Sequence, residues 1–184
     1  MIFMKKISFF FDSTLIFATL FLLSILSLFE IKTVSGRSML SSFRNEERLL
    51  IFRAMYGLRS SFFNRYLIRW KDVEIGDVVV FKIRGRYIIK RCLATEKDDI
   101  FFYQQKKDNG KEYFMRIKDV SFPLNRSSYY RLFIDCPIEN EEGVQRVPKG
   151  SLLLLGDNID ESFDSREYGY IKCDGILGKV IKWK

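Results

Sequence analysis

Asp77-Val78-Val79-Val80-Phe81-Lys82-Ile83 and Tyr87-Ile88-Ile89-Lys90-Arg91-Cys92-Leu93 flank Arg84-Gly85-Arg86, and this run decides the fold class. Both flanks are short and rich in branched or aromatic residues, so they read as strands, and the glycine between arginines reads as a tight hairpin turn. Period-two alternation puts Lys90 on the face of Ile88 and Cys92, where its amine points at an apolar wall. Most strand lysines on a half-buried sheet are simply exposed, so position alone does not give Lys90 a role.

Working outward, Arg48 to Phe52 (RLLIF) and Ser151 to Leu155 (SLLLL) carry the same signal, and Ile171 to Trp183 reads as a strand pair turning near Asp174-Gly175. Between Glu96 and Lys149 the chain becomes charged, irregular and loop-like, with Lys106-Lys107-Asp108-Asn109-Gly110 marking a turn. That segment reads as an insertion rather than core. The expected class is mainly β, with antiparallel pairing.

Ahead of these strands, Ile7 to Phe29 is almost wholly apolar, and Ser13 to Phe29 carries no charge. At about 1.5 Å per residue a helix of that length crosses a hydrocarbon core of roughly 30 Å, with Asp12 near the start beside Lys5 and Lys6. The run exceeds the apolar core of a cleaved leader, and no A-x-A-like site follows it. Lys5 and Lys6 put the amino terminus on the cytoplasmic side. Residues 1–30 are thus expected to be a cytoplasmic tip and transmembrane anchor, and 31–184 an extracytoplasmic domain with about 97–149 as a variable insertion.

Composition narrows the chemistry. The 184 residues contain no histidine, which removes Ser-His-Asp triads, Cys-His dyads and His-ligated zinc. Any general base is a carboxylate, a lysine, a tyrosine or a terminal amine. Cys92, Cys136 and Cys173 lie far apart, which disfavours a zinc ribbon but leaves room for one long-range bridge. The net charge of +8 suggests an acidic partner. From Phe43 to Trp70, six arginines (Arg44, Arg48, Arg53, Arg59, Arg65, Arg69) interleave with aromatics, a pattern that fits a membrane interface or stacked single-stranded nucleic acid. Adjacency to the apolar span favours anionic lipid headgroups and no nucleic acid.

Three motifs remain. Val34-Ser35-Gly36-Arg37-Ser38-Met39 follows the span, Lys90-Arg91 sits in the central strand, and Gly156-Asp157-Asn158 leads through Ser162 and Asp164-Ser165-Arg166 to Gly169. Singly each is weak, and the last could be a solvated acidic loop or a calcium loop, though not with EF-hand spacing. Together and in this order they resemble type I signal peptidases, membrane-bound serine proteases that cut signal peptides from exported proteins. Gly36 to Met39, Gly76-Asp77 with the following Val78 to Phe81, Lys90-Arg91, Gly156 through Gly169 and Gly178-Lys179 all match that pattern.

The resemblance implies an antiparallel β-sheet catalytic region with an inserted β subdomain, a Ser-Lys dyad of Ser38 as nucleophile and Lys90 as general base, and neither cofactor nor metal. Lowering a lysine pKa from near 10.4 to 7 asks for about 3.4 units, roughly 4.6 kcal/mol, which burial against apolar groups supplies. Ser162 would orient the Lys90 amine and the Ser38 backbone N–H would hold the oxyanion. Val34, Met39, Ile88 and Ile89 would wall shallow pockets for small side chains, and Arg91 with Asp157, and Asp164 with Arg166, would be structural ion pairs. The implied protein is a monomer in the cytoplasmic membrane, single-pass, with its catalytic domain outside, acting on signal peptides of exported preproteins.

Two departures qualify this. After Met39 the family's Pro-Thr is replaced by Ser41-Ser42, and after Arg91 its glycine-rich continuation is replaced by Ala94 to Asp98. These altered loops keep open an alternative, a catalytically inactive membrane-tethered relative that binds signal sequences or anionic lipid. A self-cleaving repressor of the related Ser-Lys type would need a DNA-binding helix pair where this chain has its apolar span.

Overall fold

The computed structural model describes residues 2–60, 62–63, 65–107, 110–135 and 145–181, with the side chains of the first helix described from Thr14 onward except Leu23. That helix, α1 (Ile2–Ser27), presents Leu15, Phe17 and Phe21 to the surroundings. It ends two residues before the expected limit of the apolar span, because Leu28 closes a turn on the Ile25 carbonyl and Phe29 already belongs to a strand. Among the described residues no helix is long and apolar enough to cross a membrane. The side chains of positions 7–13 of the expected span lie outside the described residues.

Among the described residues thirteen strands follow: β1 (Phe29–Thr33), β2 (Arg48–Phe52), β3 (Gly57–Ser60), β4 (Arg65–Arg69), β5 (Val78–Ile83), β6 (Arg86–Thr95), β7 (Asp99–Lys107), β8 (Gly110–Ile117), β9 (Val120–Leu124), β10 (Gln145–Arg146), β11 (Ser151–Leu155), β12 (Ile171–Lys172) and β13 (Ile176–Ile181). Two short helices interrupt them, α2 (Arg126–Asp135) and α3 (Ser165–Tyr168). The main sheet runs β1-β2-β13-β5-β6-β11-β12, a second sheet runs β10-β7-β8-β9, and β3 and β4 pair alone. All pairings are antiparallel among the described strands, so the fold is mainly β.

The hairpin at the centre forms as the pattern requires. Ile83 pairs with Arg86, so the turn is only Arg84-Gly85, and both adopt left-handed backbone (φ 48° and 81°). Two successive positive φ angles match the right-handed twist of the strands. Arg84 bears the strain of that conformation, which glycine bears freely. On the opposite edge of β6, β11 pairs only with Arg91 to Thr95. Arg86 to Lys90 therefore bond to β5 alone, and their outer edge is open.

Two expectations change. Among the described residues, the stretch from Glu96 to Lys149 is not the irregular loop its composition suggested but a β subdomain such as the resemblance implied: β7, β8 and β9 form a meander backed by α2, with Ile100, Met115 and Leu132 fully buried between them. Charge hid the pattern, because on β7 and β8 the outer ends carry Gln104 to Lys107 and Lys111, while only the inner ends alternate into the core. β7 and β8 pair up to Lys107 opposite Gly110; Asp108 and Asn109, where the turn is expected, lie outside the described residues. At the carboxyl end β12 and β13 do not pair with each other. A short 3-10 turn, Cys173–Gly175, sends β12 to β11 and β13 to the gap between β5 and β2. Trp183 and Cys136 lie outside the described residues, and Cys92 and Cys173 are buried free thiols.

The arginine–aromatic stretch divides. Tyr56 is fully buried and donates to Asp77 Oδ2 at 2.8 Å, and Phe43 is core. Phe62, Phe63, Ile68 and Trp70, on and beside the β3–β4 hairpin, are exposed.

Candidate active site

Strand β6 delivers the lysine. Its even positions turn inward, Lys90 to 2% exposure and Cys92 to none, so the alternation read from sequence holds. The Lys90 Nζ donates to Ser162 Oγ at 3.0 Å. Burial pushes its pKa down to about 8; the Asp164 carboxylate opposes that shift and the Arg166 guanidinium adds to it. About a tenth of the amines are then neutral at pH 7, far more than for a free lysine.

The serine arrives on the loop after β1. Val34 anchors it, donating to the Glu47 carbonyl and accepting from Glu46, and Gly36 turns with φ 101° while its N–H donates to Asn45 Oδ1 at 3.0 Å. The carbonyl of Ser38 accepts the backbone N–H of Asn158 at 3.0 Å, and the Asn158 side chain donates to the Arg37 carbonyl at 3.1 Å. The Ser38 N–H has no acceptor among the described residues. Gly156 completes the contact between segments: a Cβ there would run into Ser162 Oγ and stand 2.6 Å from the Ser38 carbonyl oxygen. Only glycine lets the backbone at 156 lie so close to both the Ser162 side chain and the Ser38 carbonyl.

The loop from Gly156 to Gly169 is held by buried charge. Asp164, with no exposed surface, accepts from the Gly156 N–H at 3.0 Å and from Arg166 Nε at 2.9 Å, and it caps α3 in a reciprocal box with Glu167. Arg166 also reaches the carbonyls of Ile159 and Ser162, which fixes the segment that carries the Ser162 hydroxyl. Arg91, next to Lys90, grips both carboxylate oxygens of Asp157 at 2.7 and 2.8 Å. Burial alone would raise the Asp157 pKa, but the bonds from Arg91 and Ser42 hold it below the ordinary value.

Ser38 and Lys90 line one cleft of about 430 Å³ together with Val34, Met39, Ile88 and Ile89. Val34 and Met39 are buried in the core cluster beneath it, so the floor is fixed, while Ile88 and Ile89 contribute half-buried walls from the open edge of β6. An exposed Arg37–Glu161 pair at 3.3 Å spans from the serine loop to the acidic loop. All of the sequence-derived site residues thus lie in the cleft or in the polar network behind it. Ser42 went unnoticed as a bonding partner because its position read only as a departure; its hydroxyl meets both Asp157 and Arg91. Asp77, bonded by Tyr56 and ion-paired with Lys179, forms a further buried polar knot below the sheet. Among the described residues no group of three or more His, Cys, Asp or Glu is arranged to hold a metal.

The chain is similar to known proteins of one family. Signal peptidase I V of Bacillus subtilis is 27% identical over 153 residues, covering 80% of each chain, and signal peptidase I of Bacillus caldolyticus is 26% identical over 157 residues, covering 80% of this chain and 74% of its own. A crystal structure of a signal peptidase I from Enterococcus faecalis overlaps at a TM-score of 0.36 and 20% identity, covering 59% of this chain and 97% of that one. The family described as signal peptidase, peptidase S26, matches residues 7–183, nearly the whole chain, and to that family this protein belongs.

Proposed function

We propose that the protein is a signal peptidase I, a serine endopeptidase that removes N-terminal signal peptides from exported preproteins after small residues, with Ser38 as nucleophile and Lys90 as general base. One observation carries the reading: a buried lysine amine, bonded to the Ser162 hydroxyl at 3.0 Å, lines the same cleft as Ser38. A lysine whose charge is disfavoured by burial is a proton acceptor, and no histidine exists to take that part.

The substrate adds as an extended strand along the free edge of Arg86 to Lys90, where main-chain bonds give affinity and alternate side chains meet Val34, Met39, Ile88 and Ile89. These walls favour small side chains by excluding larger ones. Neutral Lys90 takes the proton of Ser38 Oγ as it attacks the scissile carbonyl, and the free N–H of Ser38 donates to the oxyanion that forms. The protonated amine, steadied by Ser162, then gives its proton to the leaving amine. Water attacks the resulting acyl-enzyme with Lys90 again as base. Arg91–Asp157 and Asp164–Arg166 hold the shape of the site.

The same reading assigns 1–30 to a cytoplasmic tip and anchor, 31–184 to a catalytic domain outside the cytoplasmic membrane, and 97–149 to a variable insertion, in a single-pass monomer. The apolar run from Ile7 to Phe29 supports it, and the exposed Phe62, Phe63, Ile68 and Trp70 beside Arg65 and Arg69 suit anionic headgroups. Mass mapping of a model preprotein incubated with wild-type and Ser38→Ala protein tests the whole: one cut after a small residue is expected from the first and none from the second. No cut by wild-type protein in detergent, with the preprotein bound, would replace this reading with that of an inactive relative.

A further inference from the structure

Ser42 occupies a junction that none of the catalytic steps uses. Its Oγ accepts from Arg91 Nη2 at 2.9 Å and donates to Asp157 Oδ2, while Arg91 is itself tied to the Gly76 carbonyl at 2.8 Å. Asp157 precedes Asn158, whose backbone holds the Ser38 carbonyl and whose side chain holds that of Arg37. Arg91 follows Lys90. Three segments that meet at the cleft, the loop carrying Ser38, the strand carrying Lys90 and the loop carrying Ser162, therefore share this hydroxyl in addition to the direct Arg91–Asp157 and Asn158–Ser38 bonds.

Within the helical turn that follows Ser38, the Ser42 N–H donates to the Met39 carbonyl at 2.9 Å and Phe43 to the same oxygen at 2.8 Å, so Ser42 is rigidly coupled to the nucleophile's own loop. The neighbouring position is Ser41, where the resembling family carries a proline that would restrict the chain by itself. The Ser41 N–H donates to nothing among the described residues, so a proline there would remove no bond. We infer that Ser42 is a positioning residue, clamping the Ser38 loop to the Arg91–Asp157 pair and supplying through hydrogen bonds the rigidity that Ser41 does not.

This rests on the peptidase reading, and the test separates the two. Cleavage of a preprotein is followed for wild-type, Ser42→Ala, Ser42→Thr and the double variant Ser41→Pro/Ser42→Ala, with thermal midpoints and pH profiles for each. Misplacing a reacting group by about 1 Å costs up to 10²-fold. Ser42→Ala is expected to lose kcat by about 10- to 100-fold, with KM within about twofold and the pH midpoint unmoved. Ser42→Thr, which keeps the hydroxyl, is expected to recover to within about threefold of wild type, and Ser41→Pro to restore much of the alanine variant's loss. Wild-type activity with Ser42→Ala within twofold of it overturns the inference and spares the peptidase. Loss that follows the folded fraction, or that neither threonine nor proline repairs, also overturns it. If Ser42→Ala fails to fold, the Ser41→Pro/Ser42→Ala variant decides: kcat near wild type supports the clamp, and kcat still depressed in a folded protein rejects it. An inactive wild-type protein would sink the peptidase reading and this inference with it.

Discussion

The two sheets bury different things. The inserted sheet, β7 to β10 with α2, is closed by apolar groups such as Ile100, Met115, Phe122 and Leu132, and its buried polar residues, Ser128 and Gln145, are uncharged. The main sheet and its loops bury Asp77, Lys90, Asp164 and Arg166. Burying charge costs several kcal/mol per ion unless partners and hydrogen bonds offset it, so stability alone gives no reason to concentrate it there. The inserted sheet is held by apolar burial, while the main sheet and its loops hold the buried charges, among them the lysine whose pKa burial lowers.

The sharpest test of that division is chemical. If Ser38 and Lys90 form the proposed dyad, Ser38→Ala and Lys90→Ala should each lower kcat by at least ~10⁴-fold with thermal midpoints near wild type, because members of a catalytic unit fail together. Asp164→Ala removes one partner of a buried pair that also caps α3 and holds the Gly156 N–H. It should cost about 3–5 kcal/mol in denaturant unfolding and take activity with it. Met115→Ala, in the inserted sheet, should cost about 2–5 kcal/mol as a cavity while leaving kcat of the folded protein unchanged. A loss of kcat in that variant at full occupancy of the folded state would dissolve the contrast between the sheets.

A smaller effect concerns pH. With Lys90 at about 8, roughly one amine in ten is neutral at pH 7, so kcat/KM should rise about tenfold from pH 7 to 9 and then level. The sign for stability follows from the same burial. The folded pKa lies below the unfolded value of 10.5, so the cost of burying Lys90 is fully present below pH 8 and fades as pH climbs toward 10.5. Urea midpoints for wild type should therefore gain on those of Lys90→Met across that window, and a constant difference would contradict a buried charged amine.

How much of this the sequence revealed follows the same division. The β5–β6 hairpin was readable because branched residues and Gly85 leave few alternatives, and Lys90 was readable as inward-facing because period two is rigid. The motif from Gly156 to Gly169 carried its own partners, since Asp164 and Arg166 bond within one turn. The inserted sheet followed only from the resemblance and not from the local pattern, because exposed strand ends carry lysine and glutamine, which read as loop. Ser42 was hidden for another reason: its partners lie 49 and 115 residues away, and no local pattern announces such a bond. The carboxyl-terminal strands were seen, but their divergence is set by the 3-10 turn at Cys173–Gly175 and by the place left open between β2 and β5.

The proposed base is an amine whose pKa burial lowers to about 8, in the same cleft as Ser38. Following the Lys90 Nζ by ¹⁵N NMR in the full-length protein in detergent, assigned by its absence in Lys90→Arg, measures it directly. A midpoint near 8 is the expected result. A midpoint at 10.5 or above would leave Lys90 charged during turnover and would contradict its assignment as the base.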